Sequence, residues 1–187
     1  MNPLPTFLSR IADLALLAIL IGLGAVLTTA MGFQYLANEI PCPLCLLQRV
    51  AMFGICIGII QNFRIGYDVR NIGISLLWGL FLLLVSVRHV LLNIVARPGH
   101  AYPGSAVFGM HMPVWSVVIA FLVLLVLAAV IALLNVEYLR LRPPSAVLLW
   151  IGNIVGLYVI VLALINLISV IVQCGIATCH TTGYRLL

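Results

Sequence analysis

The chain has 187 residues, of which 65% are hydrophobic and only 7% charged. That composition belongs to an integral membrane protein, and no polar stretch is long enough to build a separate soluble domain. The net charge of +5 comes from nine arginines and no lysine; they are too scattered for a nucleic-acid surface and speak instead to membrane orientation.

Taken in order, the first apolar segment covers residues 11–36, long enough to span a membrane with tilt. A cleaved signal peptide is the rival reading, with Thr28 and Ala30 faintly resembling a cleavage site. A tight polar turn then leads into a second span over 43–60. A short loop carries Arg64 and Arg70. The third span, 72–92, has Arg88 and His89 near its far end. Residues 93–112 form the longest loop, rich in Gly and Pro yet partly apolar, as a segment lying in the membrane interface would be. The fourth span covers 113–136, with Pro113-Val114-Trp115 as an interfacial start. The Pro143-Pro144 break precedes a fifth span over 146–172, and 173–187 form a tail. The expected fold is an all-α membrane protein, a four-helix transmembrane bundle plus a fifth transmembrane helix, in one domain. Five spans put the termini on opposite sides. Arg10, Arg64, Arg70, Arg140 and Arg142 fall on the N-terminal side, against Arg97 and Arg185 in the loop and tail opposite. The positive-inside rule therefore places the N-terminus in the cytoplasm and the C-terminus outside.

The chemistry centres on Pro41-Cys42-Pro43-Leu44-Cys45-Leu46-Leu47-Gln48-Arg49. Proline suits the first position of a helix opening at Pro43. Cys42 then sits at the cap, where unpaired amides and the helix dipole favour a thiolate, the reactive form of cysteine. Cys42, Cys45 and Arg49 stand at i, i+3 and i+7 and share a face, the Arg roughly 6 Å below Cys45. A permanent charge inside a membrane helix has a partner or a task, although Arg49 could also snorkel to the interface. A Cys-x-x-Cys pair has further readings. Leu46 stands where haem attachment would need His. A zinc site could draw on Cys42, Cys45, Cys174 and Cys179 if the tail folds back, and a structural disulfide is the plainest option. The redox reading is favoured and no metal is expected.

The second pair, in Cys174-Gly175-Ile176-Ala177-Thr178-Cys179, lies on the same outer side, where disulfides persist. It serves either thiol–disulfide exchange or as a staple. Cys56 is about 21 Å deeper than Cys42 and reads as a packing cysteine. His180 reads as a bystander, and His100 and His111 as plain loop residues. His89 is the histidine best placed to join the thiols, against the reading of an ordinary interfacial residue. Thiols, Arg and His together could hold a polar head on an apolar tail, such as a quinone.

The CPLCLLQR stretch, followed by Ala51-Met52-Phe53-Gly54, closely resembles the DsbB family of disulfide-bond-forming membrane oxidoreductases. Arg88-His89-Val90-Leu91-Leu92 and Met112-Pro113-Val114-Trp115 support the resemblance, which covers roughly residues 11–136. It implies a protein of the bacterial inner membrane that reoxidises a DsbA-like periplasmic thiol oxidase. The electrons pass to a quinone, ubiquinone or menaquinone, and so to the respiratory chain. Carried over, Cys42 and Cys45 match the quinone-coupled pair, Arg49 the arginine that supports the quinone, and His89 a histidine near its ring. One departure is large. The family carries its second cysteine pair between the third and fourth spans, and residues 93–112 contain no cysteine. The expectation is that Cys174 and Cys179 replace that pair, delivered outside by the extra span. Direct attack of the partner on Cys42–Cys45, with a structural tail pair, is the competing route. Rival identities are a vitamin-K-reductase-like quinone enzyme, a metal-binding or transport protein using Cys and His as ligands, and a structural membrane subunit.

Overall fold

The computed structural model describes residues 3–94, 106–107, 109–133 and 145–175. Among the described residues five long helices carry the fold: α1 (Pro3–Leu36), α2 (Pro43–Ile65), α3 (Val69–Asn93), α4 (Met112–Leu133) and α5 (Ala146–Cys174). All five are long and apolar enough to cross a membrane, so the chain is a multi-pass membrane protein. Between α3 and α4, β1 (Ala106–Val107) pairs antiparallel with β2 (Met110–His111), with Gly109 at positive φ in the turn. The helices overrun several expected bounds: α2 continues to Ile65 and α3 begins at Val69. Polar residues such as Asn62 and Asn71 lie inside the helices because they bond to the connecting turn.

The ends of these helices have local causes. α2 opens with Pro43 after an extended Cys42 and closes at Gly66, whose φ of 106° is costly for any residue with a Cβ. α3 starts where the Asp68 carboxylate accepts the Arg70 amide, and α5 where the Ser145 hydroxyl accepts the Leu148 amide. Across the turn between α2 and α3, the Tyr67 hydroxyl donates to buried Asp13 of α1. Burial first, and then the Asp13 carboxylate, push the Tyr67 hydroxyl well above the usual tyrosine range. This pins the end of the bundle remote from the cysteines.

α2 is the central helix. In its most apolar window 67% is buried, against 39% or less in the other four. It packs against α1, α3 and α5, while α4 packs mainly on α3. α1 turns Leu16, Leu20, Leu23 and Leu27 into the core, a seam at helical spacing. Glycines set the closest approaches. A Cβ on Gly54 or Gly58 of α2 would stand 2.2 Å from the Trp78 ring or Ser75 Oγ of α3. On α5, Gly152 and Gly156 lie against Phe63 and Ile60 of α2. Both pairs are small-xxx-small contacts, which let membrane helices meet backbone to backbone. Cys56 is fully buried in this core, as a packing cysteine should be. Outward side chains such as Leu84, Leu157 and Leu164 are exposed and apolar, suited to lipid.

Candidate functional site

The site is assembled at the N-terminus of α2, where the ends of α1, α3 and α5 converge. Cys42 is the N-cap, and its Sγ accepts the Cys45 amide at 3.2 Å, because an extended residue before a first-turn proline aims its side chain back at the open amides. One turn on, Cys45 brings its Sγ to 2.6 Å from that of Cys42. On the other flank, His89 of α3 sets Nε2 3.7 Å from Cys42 Sγ. His89 is only 2% exposed, so it is a buried member of the cluster and not an ordinary interfacial histidine. Its Nδ1 is buried with no hydrogen-bond partner among the described residues. Beside it, Gln48 of α2 donates to Ser86 of α3 at 3.1 Å, both buried, which fixes the two helices at this level.

Cys42 lies outside the membrane-spanning segments, and its thiol is lowered to about 4. The hydrogen bond from the Cys45 side chain is the main cause; burial opposes it, while His89 and the Cys45 amide add to it. A lowered value means that the thiolate persists down to that pH. In the reduced protein, with a chelator present, iodoacetamide is therefore expected to modify Cys42 at a rate that holds from pH 8 down to about 5. An unperturbed thiol would lose about tenfold per pH unit below its pKa of about 8.5. Peptide mass spectrometry reads the rate, and Cys45→Ala, which removes the main donor, should move the onset upward. A midpoint near 8.5 in the wild-type protein would refute this account.

Arg49, one turn beyond Cys45, reaches toward α1 and α5. It is 7% exposed and does not snorkel. Its guanidinium donates through Nη1 to Gln34 Oε1 at 2.5 Å and to Asn166 Oδ1 at 3.4 Å, and through Nη2 to the Ala30 carbonyl at 2.9 Å. α1 and α5 thus hold it from two sides. The structure brings Cys42, Cys45 and His89 together at the mouth of the bundle, with Arg49 deeper on the same helix.

α5 reaches the site a second time. Gln173, fully buried, donates to the Pro41 carbonyl, one residue before Cys42, at 2.9 Å. The next residue, Cys174, is buried and disulfide-bonded, while Cys42, Cys45 and Cys56 are free. Between these points the Ser169 hydroxyl meets that of Tyr35 in α1. Gln34, Asn166, Ser169 and Gln173 were not singled out from the sequence. Their signal was there: Asn166, Ser169 and Gln173 repeat at i, i+3 and i+7 in an otherwise apolar helix, where lone polar residues seek partners. Cys179, His180 and His100 lie outside the described residues.

Residues 12–100 match the family model of disulfide bond formation protein DsbB. The match supports a DsbB-family assignment for this part of the chain. The match takes in α1, α2 and α3 with Cys42, Cys45, Arg49 and His89, and it ends before Met112-Pro113-Val114-Trp115 and the two later helices. No curated protein and no solved structure matched the chain. DsbB-family membership implies a thiol oxidoreductase acting in disulfide bond formation. The site suits that chemistry: paired sulfurs at a helix cap, one of them a stabilised thiolate, beside a buried imidazole.

Proposed function

We propose that this DsbB-family protein is a quinone-coupled thiol oxidase of the bacterial inner membrane that reoxidises a DsbA-like periplasmic thiol oxidase. The observation that carries the reading is the Cys42–Cys45 pair at the capped start of α2 in contact with buried His89. The residues suit a quinone. Buried Nδ1 of His89 can donate to a carbonyl oxygen when it carries the proton, and Arg49 adds a fixed cation inside an apolar bundle. A bound quinone would accept two electrons and two protons from the reduced pair. The chain's own residues do the rest. The α2 cap holds Cys42 as a thiolate, His89 offers a nitrogen at the same sulfur, and the apolar helices around them limit water.

Cys174 and Cys179 are the electron intake in this reading. A thiolate of the reduced tail pair attacks one sulfur of the Cys42–Cys45 disulfide, and the other leaves as a thiolate. The second tail thiol then resolves the mixed disulfide, so the tail pair is oxidised and the Cys42–Cys45 pair reduced. Support comes from Gln173, which ties the residue before Cys174 to the residue before Cys42. The test is quinone reduction by purified protein in detergent, with a reduced DsbA-like dithiol protein as donor. Cys45→Ser and Cys174→Ser/Cys179→Ser should each abolish turnover. Full turnover in the tail variant would mean that the partner attacks Cys42–Cys45 directly and that the tail is a staple. An inert wild-type protein, tried with several quinones, would sink the reading itself.

A further inference from the structure

We propose that Cys42, Cys45 and His89 form, in the dithiol state, a binding site for one thiophilic divalent cation of the zinc class. Their donor atoms all lie within 4.8 Å of one another. Two sulfurs and an imidazole nitrogen are the donor set such a cation selects. With Zn–S of about 2.3 Å and Zn–N of about 2.0 Å, tetrahedral geometry separates sulfur from nitrogen by roughly 3.5 Å and sulfur from sulfur by roughly 3.8 Å. Cys42 Sγ and His89 Nε2 already stand 3.7 Å apart. The two sulfurs, at 2.6 Å, must open by about 1.2 Å, which rotation of the Cys45 side chain in the first helical turn supplies. Both half-buried cysteines flank the mouth of the bundle, so an ion can reach them, and a fourth position is left for water. Binding releases the thiol proton of Cys45 and transfers no electrons. Disulfide formation removes both sulfur ligands, so metal and oxidation exclude each other at one pair of atoms. Occupancy therefore arrests the protein in its reduced form. That consequence rests on the oxidoreductase reading above; the binding does not.

The test is cobalt(II) titration of the reduced, full-length protein without oxygen, in a Cys174→Ser/Cys179→Ser background so that only the pair at α2 is available. One equivalent should give thiolate-to-cobalt absorption in the near ultraviolet and d–d bands of tetrahedral intensity, bleached by zinc. Cys45→Ser should abolish the bands, His89→Ala should weaken binding at least tenfold, and protein oxidised beforehand should show none. Absence of the bands, or unchanged affinity in His89→Ala, overturns the proposal. Cobalt binding by a protein that never reduces quinone would instead count against the oxidoreductase reading and leave the metal site standing.

Discussion

Arg49→Met is expected to lower quinone reduction at least 100-fold while leaving Cys42 open to alkylation in the reduced protein. Under the proposed function the size follows from the removal of a fixed cation near the developing negative charge, worth roughly 10²–10³ in rate. The substitution also strips Gln34, Asn166 and the Ala30 carbonyl of a shared donor. A lost hydrogen bond from a charged donor costs about 1.5–3 kcal/mol, so the thermal midpoint should fall as well. Arg49→Lys separates the two effects. It keeps the charge but, as a point cation, cannot reproduce the planar fork that serves acceptors on two helices. Intermediate turnover with a lowered midpoint is the expected pattern, and Asn166→Leu should reproduce part of it from the α5 side. Wild-type turnover in Arg49→Met, by the same assay, would remove the arginine from the chemistry and leave it a structural clamp.

Gly58→Leu should cost about 3 kcal/mol or more. Even the first added carbon would meet Ser75 Oγ at 2.2 Å and the Asn71 carbonyl at 2.5 Å. The second of these is backbone, which cannot rotate aside. α3 must then move off α2, losing the Ser75 hydroxyl's bond to the Ile55 carbonyl and shifting His89 away from Cys42. Gly22→Ala is the control: nothing stands within 4 Å of the new carbon. There the loss of a helical glycine should be neutral or stabilising by up to about 1 kcal/mol. Unfolding in mixed detergent micelles measures both. Equal stabilities for the two variants would contradict the close contact of α2 and α3.

The helices were legible because the hydrophobic runs exceed the thickness of a membrane and are punctuated by proline, glycine and arginine. The cap at Cys42 was legible for a local reason: Pro43 fixes where α2 begins, and the cap geometry follows from that. His89 could be nominated by its distance along α3, but only packing shows it buried against a sulfur. The fixing of Arg49 was not readable. Its partners come from residues 30, 34 and 166, and no spacing within α2 says which neighbour will turn a carbonyl or an amide toward it. The approach of α2 to α3 and to α5 is written in Gly54-x-x-x-Gly58 and Gly152-x-x-x-Gly156, a pattern with a clear physical meaning in membranes.

The clamp from α5 has a consequence for how the protein is made. Synthesis runs from the N-terminus, so the CPLC segment reaches the membrane long before Asn166 and Gln173 exist. A nascent chain with only α1 to α4 inserted carries its thiols and its histidine but lacks the amide that α5 brings to Arg49 and the tether on Pro41. The cysteine site is therefore finished last, when the final helix docks against α1 and α2. Maturation of the site thus reports on assembly of the whole bundle, and a half-built protein holds its cysteines without the frame that orders them.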